Sequence, residues 1–322
     1  MKIDLSDLEQ ALAGVTDALI FGHSHPDGDC SGSAAALAAL LRARGARARV
    51  LFPEPLPLRL RFLCDGVELL ETLPDDFAAS TLICTDVASP QQLGDLRERI
   101  GDKIALRIDH HEVDTPYAAH EFVDPDAAAT GEILFDLCER FGLEKLPATA
   151  KAALFGAIGS DTGCFKYDNV TPETHIRAAK LLAAGVDGAQ INHLLFDTKE
   201  MSQIAAEGLA QSRLRLFCGG KVSAIIIENT DYKDGLTMSD FETAVDIARC
   251  PRGVKIAIVI KGAPANGVYR VSLRGNDKTP VSGIAAAFGG GGHALAAGCT
   301  IHAPSGEAAL EQLLAEIKPH LN

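Results

Sequence analysis

Residues 1–190 alternate short apolar runs with helical patterns, and that alternation leaves few architectures open. The runs Ala18–Phe21 (ALIF), Ala46–Phe52 (ARARVLF), Thr81–Val87 (TLICTDV) and Lys103–His110 (KIALRIDH) have strand length. Helical stretches separate them, the first being the alanine- and leucine-rich segment Ala34–Arg44 with Ser31 or Ser33 as its cap. Strand, helix and strand in repetition predict an α/β domain built on a parallel, doubly wound sheet. Residues 128–197 read as almost wholly helical, and 198–211 as a polar helical connector. Beyond it, Lys221–Glu228, Val254–Lys261 and Val268–Arg274 read as strands, with helices at Ser239–Arg249 and Val281–Phe288. The expected organisation is therefore a larger α/β domain over 1–197, a helical linker over 198–211, and a smaller α/β domain over 212–322.

A parallel sheet gathers ligands at the carboxyl ends of its strands, and the polar residues of this chain concentrate there. Phe21–Ser33 (FGHSHPDGDCSGS) places His23, His25, Asp27 and Asp29 directly after the first strand. Asp86 closes the run TLICTD, and Asp109-His110-His111 closes IALRID. Asp161 follows a helical run, among the small residues of GAIGSDTG. One strand-end aspartate commonly does no more than cap the next helix. Four separate segments offering carboxylate and imidazole donors point to metal. Asp27, Asp29, Asp86 and Asp161 carry four negative charges, which two divalent cations cancel; without cations some carboxylates would have to take up protons. Oxygen and imidazole donors without thiolate favour Mn²⁺, with Mg²⁺, Fe²⁺ and Co²⁺ less firmly excluded.

Composition narrows the partners. The net charge is −13, with 18 basic against 32 acidic residues over 1–200 and 12 against 11 over 201–322. No basic face suits a long duplex. Aromatic residues make up 5% of the chain and Trp is absent, which argues against a stacking platform for long single strands. No apolar run reaches the length of a membrane helix. The N-terminal MKIDLSDLEQ carries acids where a signal peptide has bases, so no export is expected. The eight cysteines are never closer than 20 positions, excluding zinc-knuckle spacing and fitting reduced, mostly buried thiols in a cytoplasm.

His-x-x-Pro-Asp-x-Asp at 23–29, the lone Asp86, Asp109-His110-His111 and Asp161 in Gly-Ser-Asp-Thr-Gly resemble, in order, the four motifs of the DHH phosphoesterase superfamily. Gly289 to His293 (GGGGH), following Val-Ser-Leu-Arg at 271–274, resembles the signature of the DHHA1 substrate domain. Order and spacing are similar, over essentially the whole chain, to the compact members that degrade nano-RNA and dephosphorylate 3′-phosphoadenosine 5′-phosphate (pAp). The resemblance implies two divalent metal ions in a site between the domains. His23, Asp27 and Asp86 would hold one; Asp29, Asp86, His110 and Asp161 the other, with Asp86 bridging. It further implies that His111 faces the scissile phosphate and that Asp109 orients a neighbouring histidine.

The second domain adds anion binders. Arg274 can grip a phosphate by its planar fork, with Ser272 as a further donor and Arg270 on the same strand face. Gly290, Gly291 and Gly292 let backbone N–H groups approach an anion, and His293 adds a side-chain donor. Two departures from the family pattern stand out. His25 replaces an uncharged polar residue and is expected to contact solvent or substrate, and Cys30-Ser31 replaces a small apolar pair.

The resulting expectation is a cytoplasmic, Mn²⁺-dependent phosphodiesterase and nucleotide phosphatase that hydrolyses short oligonucleotides or mononucleotide bisphosphates by in-line attack of water on phosphorus. A homodimer is left open. A cyclic dinucleotide (cyclic di-AMP) phosphodiesterase is the alternative within the class. Inorganic pyrophosphatase fits less well, because Gly289 to His293 belongs to another type of second domain. A nucleotide sensor without catalysis is the reading from outside the class.

Overall fold

Strands buried on both faces read as unbroken apolar runs, and the first sheet is built from such strands. In the computed structural model, which describes residues 3–112, 115–263 and 267–321, the chain divides into two units, Met1–Thr198 and Lys199–Asn322. The side chains of Ala79 and His293 also lie outside the described residues.

The first unit runs α1 (Leu5–Ala13), β1 (Asp17–Phe21), α2 (Gly28–Ala43), β2 (Arg47–Leu51), β3 (Glu68–Leu70), β4 (Thr81–Thr85), α3 (Leu96–Ile100), β5 (Ile104–Asp109), β6 (His120–Val123), α4 (Thr130–Phe141), α5 (Ala148–Asp161), α6 (Pro172–Ala183) and α7 (Gly188–Asn192). Its strands lie in the order β3-β2-β1-β4-β5-β6 and all pair in parallel. The order reverses between β1 and β4, so the two carboxyl ends that carry His23–Asp29 and Asp86 flank the switch point, where open sheets bind ligands. The four sequence-expected strands are β1, β2, β4 and β5. The outer strands β3 and β6 escaped that reading because they are short and half-exposed, with little apolar signal.

Helix α2 is almost entirely buried, with Leu37, Leu40 and Leu41 in the same core as Leu134 and Phe135 of α4 and Leu154 of α5. It lies against α5 at backbone distance: a Cβ on Gly32 would collide with the Ala153 carbonyl oxygen. A Cβ on Gly28 would fall 2.6 Å from Ser160. This close packing brings the start of α2, with Asp27 and Asp29, beside the end of α5, with Asp161.

The second unit contains α8 (Met201–Ser212), β7 (Arg215–Phe217), β8 (Val222–Ile227), α9 (Ala244–Arg249), β9 (Ile256–Gly262), β10 (Val268–Gly275), α10 (Ser282–Ala287), β11 (Gly291–His293), β12 (Ala296–His302) and α11 (Gly306–Ile317). Its sheet has the order β11-β12-β10-β9-β8-β7, with β8 and β9 parallel and the other neighbours antiparallel. One face packs on α10 and α11 through Ile258, Leu273, Ile284 and Leu313. The other packs on α8 and α9, where Ala206 and Ala210 share a cluster with Ile225 and Val259. The expected connector at 198–211 is thus largely helix α8, packed on the second sheet through Ala206 and Ala210. The single helix expected over Ser239–Arg249 is a 3₁₀ turn, Met238–Phe241, followed by α9. The Thr237 hydroxyl and the Asp240 carboxylate close that turn on themselves. Among the described residues, no helix is long and apolar enough to cross a membrane.

Candidate metal centre

The centre is assembled at the end of β1. Asp27 caps α2, its Oδ1 accepting from the Cys30 amide at 3.0 Å. His23 donates Nδ1–H to the Ser24 carbonyl at 2.7 Å, since a carbonyl only accepts. Its Nε2 then points at Asp86 Oδ2 (3.6 Å) and Asp27 Oδ1 (3.8 Å). His110 repeats the arrangement. Its Nδ1–H meets the Ala127 carbonyl at 3.1 Å, and Nε2 lies 3.3 Å from Asp161 Oδ2, 3.7 Å from Asp86 Oδ1 and 4.0 Å from Asp29 Oδ2. That Nε2 is buried and makes no hydrogen bond. An imidazole held by a backbone carbonyl on one nitrogen, with the other aimed into carboxylates, is the posture of a metal ligand.

Asp86 sits between the two imidazoles. It follows β4 in a left-handed conformation (φ 57°) that few non-glycine residues adopt, a strain typical of functional positions. Its amide donates to Ile108 O at 3.0 Å, and Thr130 Oγ1 donates to its Oδ1 at 3.1 Å. One carboxylate oxygen faces His23 and the other faces His110. Ligand atoms from Asp29, His110 and Asp161 lie within 4.8 Å of one another, as do those of Asp86, His110 and His111. The donor set fits divalent metal: carboxylate oxygens and imidazole nitrogens converge, and a buried imidazole nitrogen lacks any other partner.

The electrostatics agree. Burial disfavours a charged imidazole, yet Asp27 and Asp86 outweigh it at His23 and raise its pKa. Burial is likewise overcome at His110 by Asp161, Asp29 and Asp86, which push it up to about 10. Burial, Asp86 and Asp161 together raise Asp29. Asp161 is pushed up to about 6, chiefly by burial against the pull of His110. The pocket calls for positive charge, and a divalent cation supplies it more strongly than a proton.

Asp29 is the most tightly held of the four candidate ligand carboxylates. It is fully buried, and its oxygens accept from Thr130 N (2.7 Å), Gly131 N (2.9 Å) and Ser33 Oγ (2.9 Å). The amino-terminal end of α4 therefore fixes Asp29 while Thr130 also fixes Asp86. Sequence reasoning missed Thr130, Gly131 and Ser33 as orienting residues. The signal lay in Ala129-Thr130-Gly131-Glu132, a helix start in a chain whose metal site needed amide donors.

His111 and Asp109 stand one step back. Asp109 Oδ1 accepts from the His111 amide and from His111 Nδ1, both at 2.8 Å. Asp109 Oδ2 is gripped by Arg107 Nε (3.0 Å) and Nη2 (2.8 Å), and Nη2 also reaches the His111 carbonyl at 3.0 Å. Despite burial, Asp109 and Asp86 push His111 up to about 11. Arg107, absent from the sequence reading, is fully buried and holds this loop from beneath.

Two residues that depart from the family pattern are resolved by geometry. His25 is exposed and pairs with Glu54 at 2.6 Å, and no described metal-binding cluster includes it. Cys30 Sγ lies with His23 and Asp86, accepts from the His23 amide at 3.2 Å, and is pushed up to about 12 by burial. Burial favours the neutral thiol over the thiolate at this position.

In the second unit the register lines up the candidate anion binders. Ser272 pairs across β12 with Gly298, which pairs with Gly291; Arg274 pairs with Ala296, which pairs with the backbone of His293. Directly paired residues share a face, and Tyr269, Val271 and Leu273 take the opposite, buried one. A Cβ on Gly290 would collide with Gly298 O, and one on Gly292 would fall 2.5 Å from Ala296 O, whereas one on Gly291 meets nothing. Two of the three glycines are therefore required by packing on β12, and Gly291 leaves open space over the Ser272 row. The role expected for the His293 side chain falls outside the described residues.

Comparison with known proteins matches this geometry to a family. Residues 17–159 match the DHH family N-terminal domain, and residues 218–321 match the DHHA1 domain. The chain is 30% identical to the bifunctional oligoribonuclease and PAP phosphatase NrnA of Thermus thermophilus over 300 residues, covering 93% of this chain and 88% of that protein. It is 28% identical to the protein of the same name from Bacillus subtilis, covering 88% of this chain and 89% of that one. The fold is similar to that of an exopolyphosphatase-related protein from Bacteroides fragilis, with a TM-score of 0.87 and 22% identity over 98% of this chain and 96% of that one. With the motif residues gathered at the switch point of its first sheet and a DHHA1 match over residues 218–321, this chain belongs to the DHH family.

Proposed function

We propose that this protein is a divalent-metal-dependent phosphoesterase that hydrolyses short oligonucleotides and pAp, with Mn²⁺ as the working ion in a reducing cytoplasm. The observation that carries the reading is Asp86, whose two oxygens face separate imidazoles at 3.6 and 3.7 Å. His23, Asp27 and Asp86 would hold one ion, and Asp29, Asp86, His110 and Asp161 a second. When bound, such a pair activates water and neutralises charge developing on a phosphoryl group. The chain's own residues do the rest. The carbonyls of Ser24 and Ala127 fix the tautomers of His23 and His110, and the α4 amides keep Asp29 in one rotamer. Asp109 holds the His111 ring by its Nδ1–H, so Nε2 is the atom His111 offers to a phosphate oxygen. In this reading residues 1–197 perform the chemistry, residues 198–211 connect, and residues 212–322 bind substrate, with Ser272, Arg274, Gly290, Gly291, Gly292 and His293 receiving the phosphate that does not react.

The test is kcat/KM with Mn²⁺ across pAp, di- to pentanucleotides of RNA and DNA, cyclic di-AMP and pyrophosphate. Preference for pAp and the shortest RNAs is expected; a preference for cyclic di-AMP or pyrophosphate would overturn the assignment.

His111→Ala should retain its metal by elemental analysis while kcat falls by about 10²–10³, the scale for losing one transition-state donor. Loss of an ion from that variant would make His111 a ligand instead. Arg274→Ala should raise KM more than it lowers kcat, because a phosphate remote from the reaction is held equally in ground and transition states. The effect should be large on pAp and small on bis(p-nitrophenyl) phosphate, which has no second phosphate. Equal losses on both substrates would remove Arg274 from phosphate binding.

A further inference from the structure

Among the described residues, Tyr167 is the one aromatic side chain of the Phe and Tyr set that is exposed, at 42%. It lies six positions after Asp161, on a loop whose backbone is unusual. Gly163, Cys164 and Phe165 are consecutively left-handed, with φ of 54°, 59° and 62°. For a bulky residue such as Phe that conformation is strained and persists only where the surroundings impose it. Here they do. Phe165 stacks on His175 with centroids 5.5 Å apart and packs against Phe155 at 5.9 Å. Its amide donates to Thr162 Oγ1 at 3.1 Å. The amides of Lys166 and Tyr167 both donate to the Thr162 carbonyl, at 2.8 and 3.1 Å.

These bonds fold the loop back so that the Tyr167 ring lies over Gly163, where any Cβ would collide with it. The far end is tied down too. Asn169 Nδ2 donates to Asp161 O at 3.1 Å and to Ala128 O at 2.9 Å, joining the loop to two segments of the metal centre. An aromatic ring is thus held, partly in solvent, over Gly163, which lies two residues along the chain from the proposed metal ligand Asp161.

We infer that Tyr167 is the platform on which one nucleobase of the substrate stacks, setting that base relative to the phosphate at the metal centre. This rests on the functional reading above and deepens it. Every nucleobase has a π-face, so one aromatic platform selects for the presence of a base without selecting which base. A single platform also suits a substrate of one or two nucleotides, whereas a long single strand calls for several. Tyr167 acts through its ring, so the hydroxyl is dispensable.

The test compares pAp with ribose 3,5-bisphosphate, which keeps both phosphates and lacks the adenine. Binding by calorimetry and turnover with Mn²⁺ are measured for the unaltered protein, Tyr167→Ala, Tyr167→Leu and Tyr167→Phe, with metal content checked in each. Tyr167→Ala should raise Kd and KM for pAp about 5- to 100-fold, the range of one base–aromatic stack, and change those for ribose 3,5-bisphosphate less than about 2-fold. Tyr167→Phe should match the unaltered protein, and Tyr167→Leu should fall near Ala. Equal effects on both ligands, or unchanged pAp binding in Tyr167→Ala, would overturn the platform. If the unaltered protein binds pAp without hydrolysing it, the functional reading fails while the Kd comparison still decides Tyr167. If it binds neither ligand, both fall.

Discussion

Asp86→Ala should strip the protein of bound metal and abolish turnover even in excess Mn²⁺. Losing a residue that only orients a ligand typically weakens metal affinity 10- to 100-fold. Removing a carboxylate that faces both His23 and His110 should exceed that, with a loss of more than about 10²-fold in affinity and a larger one in kcat/KM. The left-handed backbone at Asp86 supplies a control. Asp86→Gly relaxes that strain while removing the same carboxylate, so both variants should be equally metal-poor if ligation is the cause. Elemental analysis after dialysis, followed by assays over a Mn²⁺ titration, measures this. His25→Ala should stay near the unaltered protein, since His25 turns outward to Glu54. A His25→Ala protein as metal-poor as Asp86→Ala would sink the ligand assignment.

The parts of this protein legible in the sequence are those in which one residue carries its own signal. Strands β1, β2, β4 and β5 announced themselves because a strand covered on both faces must be apolar throughout. Asp86, Asp109 and His110 stand out in the sequence because polar residues ending such runs have few other reasons to be there. What stayed hidden depends on partners distant in sequence. Asp29 owes its rotamer to Thr130 and Gly131, about a hundred positions away, and no local pattern links them. Helix α8 reads as polar, yet its two buried alanines are enough to seat it on the second sheet. The glycine run at 289–292 reads as one anion loop, but Gly290 and Gly292 are there because β12 leaves no room for a side chain. Arg107 was the largest omission, because a basic residue inside a strand of a parallel sheet gives no hint that it points inward.

Arg107→Ala should lower stability more than any other single change considered. The guanidinium is fully buried between Asp109, which it binds through two nitrogens, and Glu121, whose carboxylate lies 3.7 Å from Nη1. Both acids are themselves buried. Truncation leaves two carboxylates without their cation, and breaking a buried pair from one side costs about 3–5 kcal/mol. For a unit of this size that corresponds to a fall in Tm of roughly 6–20 °C, measurable by calorimetry. The loss should also reach the chemistry. Arg107 holds the Asp109 carboxylate and the His111 carbonyl at once, so without it the carboxylate that aims the His111 ring loses its own anchor. Arg107→Lys separates the two effects. It keeps the charge but offers a compact ammonium in place of a planar fork, and cannot reproduce the paired Nε and Nη2 contacts with Asp109 while also reaching the His111 carbonyl. That variant should recover most of the lost Tm, retain its metal, and still turn over about 10-fold more slowly, with KM for pAp little changed. If Arg107→Lys matches the unaltered protein in kcat as well as in Tm, Arg107 serves only as a buried countercharge, and its role in aiming His111 must be given up.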